Sequence, residues 1–125
     1  MQSQYQDSAI VSIDEVADHS NEWQKCLSST EYATMSECKK PLHFLAKKLA
    51  AKLALKKGLT ACGIYLDCLS DISVMNTEAG QPYFSFTQAI TNQLAINNVS
   101  GISLSISDEH QFAFAYVNFL ILRAV

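Results

Sequence analysis

The feature that most constrains the fold is a run of apolar residues spaced three and four positions apart in the middle of the chain. These residues are Leu42, Leu45, Ala46, Leu49, Ala50, Leu53 and Ala54. Their period predicts a strongly amphipathic helix over about residues 42–57, which Pro41 can begin and Gly58 can end. Three lysines share a different face of that helix, namely Lys48, Lys52 and Lys56.

Lysine is concentrated around this predicted helix. Seven of the nine basic residues fall between positions 39 and 57, where the chain has no acidic residue, although its net charge is −3. Lysines this close together repel one another unless an anion offsets their charge. Phosphate groups are common partners of ammonium groups, so the segment predicts a phosphate-binding surface. Two other interpretations stay open: a solvated helix face, and a basic helix that lies on an anionic membrane or partner.

The N-terminal part of the chain predicts one strand and one short helix before the lysine-rich helix. Residues 9–16 are short and rich in β-branched side chains, which is typical of a strand. A capping signal from Ser28 to Glu31 then precedes a short helix around Tyr32 to Cys38.

The C-terminal part predicts four strands and one helix. Alternating apolar residues over 72–86, interrupted by a polar turn, indicate a hairpin, and Thr87 can cap a helix that runs to about Asn97. Residues 102–107 alternate in a further strand, and Phe112 to Leu122 is apolar on both faces of the last one. A strand of this kind is expected to be buried by its own core and by a neighbouring subunit. The order predicts a single α+β domain over residues 1–125, with a mostly antiparallel sheet packed with helices.

The sequence predicts a cytoplasmic protein. Met1 to Ser8 are polar and contain no lysine or arginine before an apolar block, so a secretory signal is not expected. The longest apolar stretch without a charge, Phe112 to Leu122, is too short to span a bilayer and contains Asn118. Neither a membrane nor a nucleic acid is expected as a partner.

Two smaller features are candidates for chemistry. Asp14 and Glu15 follow the predicted first strand, and carboxylate oxygens are ligands that Mg²⁺ prefers, although strand ends also become acidic for solubility alone. The turn Gly80-Gln81-Pro82-Tyr83 combines a glycine that permits positive φ with a proline that fixes its own φ, which suits a tight strand connection.

The segment from Phe44 to Lys57, FLAKKLAAKLALKK, resembles the signature helix F-L-A-x-R-F-A-x-K-E-A-x-x-K of the holo-acyl-carrier-protein synthases, the small 4'-phosphopantetheinyl transferases. Three shorter segments follow the family's order: Leu27 to Tyr32 is similar to its L-[ST]-x-x-E-[YWL] step, Gly80 to Tyr83 to its G-[KR]-P turn, and Ser103 to Asp108 to its late S-[IL]-[ST]-x strand. The resemblance covers about residues 9–120 and implies a 4'-phosphopantetheinyl transferase-like fold.

The resemblance implies a function and a metal site. The family transfers the phosphopantetheine arm of coenzyme A to a serine of acyl carrier protein, in fatty acid or polyketide biosynthesis. Its magnesium ion is held by an aspartate on the first strand and by the glutamate of K-E-A, whose place is taken here by Leu53. The remaining metal ligand is expected to be Asp14, with Ser12 as the alternative position. A weakened or absent magnesium site is therefore expected.

Other positions match residues that contact coenzyme A in the family. They are Lys48, which replaces the signature arginine, and Lys52, Lys57, Gly80, Pro82, Ser105 and Ser107. Lys57 and Asp14 are expected to be the catalytic pair. The resemblance also implies a homo-oligomer, a trimer with sites at subunit interfaces. Because Leu53 replaces a metal ligand, a non-catalytic protein that binds coenzyme A or a carrier protein is the alternative function.

Overall fold

The computed structural model describes residues 1–123, and the predicted domain of residues 1–125 extends two residues beyond them. Within that range the strands are β1 (Gln2–Ser12), β2 (Ile72–Asn76), β3 (Pro82–Phe86), β4 (Val99–Asp108) and β5 (Phe112–Leu122). The α-helices are α1 (Ile13–Asp18), α2 (Ser20–Trp23), α3 (Ser29–Met35), α4 (Pro41–Ala61) and α5 (Gln88–Ile96). Across residues 1–123, no helix is both long enough and apolar enough to span a membrane.

Two antiparallel sheets form the β part of the fold. The first has the order β1-β5-β4, and the second is the hairpin of β2 and β3. On the inner face of the first sheet, Ala115 of β5 pairs with Ala9 on one side and with Ile106 on the other. The α+β class, the antiparallel sheet, the hairpin and the last two strands are therefore confirmed.

The central strand β5 separates two apolar faces. Its inward side chains are buried against α4, and they are Ala113, Ala115, Val117, Phe119 and Ile121. Its outward side chains alternate with them, and Tyr116 and Leu122 remain exposed. Ile10 of β1, which pairs with Phe114, is also exposed on this outward face. The strand is thus apolar on both sides, as predicted.

Helix α4 packs across the inner face of the sheet and runs antiparallel to β1. Near its start, His43 Nδ1 lies 3.2 Å from Asp108 Oδ2, at the sheet end where Ser12 pairs with Phe112. Near its end, Gly58 lies against Phe119, and a Cβ at this glycine would be 2.9 Å from the Phe119 ring. Gly58 therefore lets the helix approach the sheet closely rather than ending the helix, which continues to Ala61.

The predicted amphipathic pattern of α4 is wrong in one respect. The helix is covered on most of its circumference, and its buried residues include Lys48 and Lys52, which are 8% and 0% exposed. The sheet packs on one side of α4, while α1, α3 and β2 contact other parts of its surface. Lys48 and Lys52 are therefore enclosed by neighbouring elements, whereas Lys56, predicted on the same face, is exposed.

The first strand also differs from its predicted bounds of 9–16. It begins at Gln2 and ends at Ser12, whose Oγ accepts a hydrogen bond from the backbone N–H of Glu15. This N-cap starts α1, so Asp14 and Glu15 lie in the first turn of a helix rather than at the end of a strand. Acidic residues are favourable there because the helix dipole is positive at its N-terminus.

Candidate functional site

Two groups of the residues predicted to form the site lie at opposite edges of the three-stranded sheet. Lys57 lies beside β1, at one edge, where its Nζ donates a 2.8 Å hydrogen bond to the carbonyl of Ser8. Ser105 and Ser107 lie on β4, at the opposite edge, with β5 between the two strands. Adjacent strands are about 4.8 Å apart, so the two groups are separated by the width of the sheet.

A cavity of about 480 Å³ lies where β3 approaches β4. Pro82 and Ser105, both predicted to contact coenzyme A, line this cavity. Its other lining residues are Gln81, Tyr83, Phe84, Ile102, Ser103, Leu104 and Ile106. The cavity is open and mixed in polarity, with serine hydroxyls on one wall and aromatic rings on the other. It can accept an elongated ligand that has both polar and apolar parts.

Gly80 shapes the hairpin turn that leads into this cavity. Its φ is 89°, which confirms the predicted positive value, and its N–H donates to the carbonyl of Thr77 at 2.9 Å. The Gln81 N–H donates to the side chain of Thr77, and β3 then begins at Pro82. The turn therefore positions Pro82 at the cavity mouth.

A second cavity, of about 270 Å³, lies on the outward face of the sheet. It extends from Ser8 on β1 to Ser105 and Ser107 on β4, across Phe114 and Tyr116 of β5. Ser107 pairs with Phe114 and Ser105 pairs with Tyr116. The two predicted serines thus border an aromatic surface on the unpartnered side of the sheet.

Lys52 occupies the interior, where no ligand reaches it. Its Nζ donates to three acceptors: the carbonyl of Cys26 at 2.7 Å, the carbonyl of Leu69 at 3.1 Å and Oε1 of Glu31 at 2.5 Å. A lysine ammonium has three N–H donors, so all of them are used inside the protein. The prediction that Lys52 contacts coenzyme A is corrected to a structural role.

Glu31 is the carboxylate that makes this burial possible. Besides Lys52, its oxygens accept from the backbone N–H groups of Ser28 at 2.9 Å and Val74 at 2.7 Å. The sequence predicts one part of this arrangement, the capping box in which Ser28 and Glu31 begin a helix. Its second role, as the partner of a buried lysine, has no local sequence signal.

Lys48 is also mostly enclosed. Its Nζ donates to the carbonyl of Val74 at 2.8 Å and lies 4.8 Å from the centre of the Phe44 ring. Burial lowers the pKa of Lys48 below 10.5, and the nearby Glu31 carboxylate only partly opposes this effect. Lys48 borders a cavity of about 150 Å³ together with Thr30 and Asn76, so part of its side chain still faces an opening.

The predicted metal ligands do not form a carboxylate cluster. Asp14 lies on the exposed first turn of α1, and Ser12 Oγ is used as the cap of that helix. Leu53, in the place of the family's glutamate, is half-exposed on α4, and its side chain has no oxygen. Among residues 1–123, no group of three or more His, Cys, Asp or Glu side chains could hold a metal ion. These residues do not fit a magnesium ion held by two carboxylates.

Sequence reasoning missed Asp7, which is the carboxylate of β1. Its Oδ1 lies 3.3 Å from Lys57 Nζ and accepts a 2.8 Å hydrogen bond from the Ser8 N–H. Asp7 could have been found from its position in the strand, because every second residue of β1 faces α4 and Asp7 is one of them. That signal could not be used while the strand was predicted to begin at residue 9.

Known proteins provide an independent comparison. No protein-family model matches the chain. A curated holo-[acyl-carrier-protein] synthase of Pseudoalteromonas atlantica is 35% identical over 97 residues, which are 75% of this chain and 75% of that protein. The chain spans 56% and 65% of the length of two further relatives with the same name, from Wigglesworthia glossinidia brevipalpis and Nitrosococcus oceani.

Solved structures agree with the sequence relatives. The holo-[acyl-carrier-protein] synthase of Neisseria meningitidis aligns over 92% of this chain and 96% of its own, with a TM-score of 0.83 and 25% identity. A synthase in complex with coenzyme A from Chronobacterium ammoniagenes has the same fold, with a TM-score of 0.84, 18% identity and coverage of 97% and 99%.

The fold and the arrangement of α4 against the β1-β5-β4 sheet place the chain in the class of 4'-phosphopantetheinyl transferase-like proteins, as its sequence predicted. Within that class, the chain belongs to the holo-[acyl-carrier-protein] synthase family.

Proposed function

We propose that this protein transfers 4'-phosphopantetheine from coenzyme A to a serine of an acyl carrier protein. Family membership supports this proposal, and a structural neighbour with the same fold is a complex with coenzyme A. The cytoplasm is the compartment we propose for the protein. Whether the carrier serves fatty acid or polyketide synthesis is a property of the carrier and not of this fold.

The reaction is a phosphoryl transfer. The hydroxyl oxygen of the carrier serine attacks the β-phosphorus of coenzyme A and forms a new P–O bond. The P–O bond to the bridging oxygen breaks, and adenosine 3',5'-bisphosphate leaves with that electron pair. The serine proton passes to a base, and negative charge accumulates on the phosphate oxygens. A protein site must therefore offer positive charge near the pyrophosphate.

The exposed ammonium of Lys57 is the observation that carries this proposal. Its side chain is 59% exposed, and the carbonyl of Ser8 and the carboxylate of Asp7 hold it at the β1 edge. One N–H donor remains for a phosphate oxygen after these two contacts. We propose Lys57 for this role without its predicted partner Asp14, because Asp14 follows the end of β1 at Ser12, whereas Lys57 contacts Ser8, four residues earlier on that strand.

The remaining residues would bind the rest of coenzyme A. Pro82 and Ser105 line the cavity between β3 and β4, and Gly80 sets the turn that leads into it. Ser107 borders the adjoining aromatic surface. These groups would position the nucleotide and the pantetheine arm, whereas Lys57 would contact the pyrophosphate.

We further propose that one complete site needs two copies of the chain. Lys57 is at the β1 edge of the sheet and Ser105 is at the β4 edge, so one copy presents half a site at each end. Joining the β1 edge of one copy to the β4 edge of the next is a head-to-tail contact, which gives a ring when the rotation between copies closes. The exposed apolar face around Tyr116 supports such an assembly, and a trimer is the ring we propose.

A second function is favoured by Leu53. Without a carboxylate at this position, the chain can bind coenzyme A or a carrier protein and still lack the chemistry. Such a non-catalytic protein would retain the cavity and Lys57.

The decisive experiment incubates the purified protein with coenzyme A and several apo-carrier proteins and measures carrier mass. Transfer predicts that the carrier gains one phosphopantetheine group and that Lys57→Gln slows this gain at least tenfold. Lys56→Gln, one residue away and exposed, is the matched control and should leave the rate unchanged. Binding of coenzyme A without any mass gain would support the non-catalytic function instead. Absence of transfer together with absence of binding to coenzyme A and to every carrier protein would refute both functions.

A further inference from the structure

Within residues 1–123, the carboxylate that pairs with Lys57 is that of Asp7, and its Oδ1 has two partners. Asp7 Oδ1 contacts the Lys57 ammonium at 3.3 Å and accepts from the Ser8 N–H at 2.8 Å. The carbonyl of Ser8 accepts from the same ammonium at 2.8 Å. Asp7, Ser8 and Lys57 therefore form a small closed network that holds a positive charge at the β1 edge.

Two positions beside this network carry apolar side chains. Leu53 lies one helical turn before Lys57 on the same face of α4, and Ala9 is the next inward residue of β1 after Asp7. One turn of helix and two residues of strand cover nearly the same distance. Because α4 runs antiparallel to β1, Leu53 and Ala9 lie level with one another. At the two positions beside Asp7 and Lys57 where a second carboxylate of a metal site could lie, the chain has apolar side chains.

Asp7 offers a divalent metal ion one carboxylate, whose Oδ1 is already used by the Lys57 ammonium and by the Ser8 N–H. Mg²⁺ requires near-octahedral oxygen ligands and usually takes one or two carboxylates in addition to phosphate oxygens. A single carboxylate that is paired with a lysine and hydrogen-bonded to the backbone is a poor ligand for it. The same pairing suits an ammonium, which needs only a few acceptors and can direct its remaining N–H toward a phosphate.

We propose that this protein binds the pyrophosphate of coenzyme A without a divalent metal ion, and that the Lys57 ammonium, held by Asp7 and Ser8, supplies the positive charge. The inference rests on the proposed function, namely that coenzyme A is the ligand. Asp7 acts here as a positioning residue, because it contacts Lys57 and not the ligand. The affinity for coenzyme A is then set by lysine and is independent of magnesium.

Calorimetric titration of coenzyme A into the intact protein tests this proposal. One titration contains magnesium chloride and the other contains EDTA, and the same pair is repeated with Lys57→Gln and with Lys56→Gln. We expect the wild-type dissociation constant to agree within about twofold between the two buffers. Lys57→Gln should weaken binding about tenfold in both, which is the effect of losing one charge-assisted hydrogen bond. Lys56→Gln should change neither value.

The possible outcomes test metal independence separately from the proposed binding of coenzyme A. Binding that requires magnesium overturns metal independence while leaving coenzyme A as the ligand. Equal losses in Lys56→Gln and Lys57→Gln overturn the specific role of Lys57 in favour of a general basic surface. An absence of binding in both buffers refutes coenzyme A as the ligand, and this inference with it. Melting curves of both variants confirm folding, which is expected because both side chains are exposed.

Discussion

The ammonium of Lys52 and the carboxylate of Glu31 form an ion pair in the interior, with 2.5 Å between Nζ and Oε1. The two side chains are 0% and 2% exposed. Burial lowers the pKa of Lys52, while its hydrogen bond to Glu31 acts in the opposite direction. Every N–H of this ammonium has an acceptor, so the pair is satisfied although it is removed from water.

Replacing Glu31 by glutamine should destabilise the protein by about 3–5 kcal/mol, because a buried ammonium then loses its counter-charge. Urea unfolding followed by circular dichroism measures this change. Glu37→Gln is the control, since Glu37 is exposed shortly after the same helix. Combining Glu31→Gln with Lys52→Met should recover part of the loss. An effect of Glu31→Gln no larger than that of Glu37→Gln would contradict the importance of the pair.

Gly58→Ala should also destabilise the protein, although alanine favours helices. The added Cβ would lie 2.9 Å from Phe119 Cε1, and this ring is fully buried. Overpacking of this kind costs about 1–3 kcal/mol. Thr60→Ala, at an exposed position of the same helix, is the control and should be neutral or slightly stabilising. Phe119→Leu in the Gly58→Ala background should reduce the cost; a stabilising Gly58→Ala would show that the contact relaxes freely.

Lys48 should make stability depend on pH. Burial lowers its pKa in the folded protein below 10.5, so between the two pKa values the unfolded chain binds more protons. The free energy of unfolding contributed by Lys48 therefore rises with pH in that window and is constant above it. Urea unfolding at about pH 8 and about pH 10 should show a smaller rise for Lys48→Met than for the wild type. Lys47→Met, at the adjacent half-exposed position, should retain the wild-type rise; equal slopes in all three proteins would argue against a lowered pKa.

Much of the fold follows from local patterns in the sequence. The period of α4, the Thr87 cap of α5 and the alternation in β4 each predict the correct element. Lys48 and Lys52 show why the environment of a residue does not follow in the same way. Their acceptors are backbone carbonyls of Val74, Cys26 and Leu69, which are between 17 and 26 residues distant in sequence. Periodicity assigns a side chain to a helix face but does not tell what covers that face.

The candidate site was predictable to a similar extent. The cavity residues Pro82 and Ser105 were identified from motif order, and the structure brings them together. Asp14 was chosen because a strand was expected to extend to residue 16, whereas the Ser12 cap begins a helix before it. A strand over residues 9–16 contains Asp14 and excludes Asp7. Because β1 covers Gln2–Ser12 instead, Asp7 lies in the strand and Asp14 lies in the helix that Ser12 caps.

Leu53→Glu should weaken coenzyme A binding in EDTA several-fold. A glutamate at this position lies four residues before Lys57 and can pair with it, which should stabilise the helix by about 0.2–0.5 kcal/mol. The Lys57 ammonium would then be shared with a second carboxylate. Leu53→Gln, with a similar size and no charge, should bind coenzyme A as the wild type does. Calorimetry in EDTA measures the affinities, and tighter binding by Leu53→Glu would contradict this account of the site.

Sites formed between copies should be restored by mixing two defective variants. Lys57→Gln lacks the ammonium at one edge, and Ser105→Trp fills the cavity at the other. When the two variants are refolded together in equal amounts, some contacts join the intact Lys57 edge of a Ser105→Trp copy to the intact Ser105 edge of a Lys57→Gln copy. Random mixing in a ring predicts about a quarter of the wild-type coenzyme A sites. Two separately tagged Lys57→Gln preparations are the control; no recovery in the mixed variants would place each site within one copy.

The β2–β3 hairpin has no backbone ladder to the three-stranded sheet in residues 1–123. Hydrogen bonds attach it to α3 and α4 at Val74, whose N–H donates to Glu31 Oε2 at 2.7 Å and whose carbonyl accepts from Lys48 at 2.8 Å. Hairpin and α3 should therefore open as one cooperative unit, with Val74 and Ser28 amides exchanging with deuterium in the same event. Because β3 forms one wall of the cavity beside Pro82, the frequency of this partial unfolding also sets how often that wall moves away from β4.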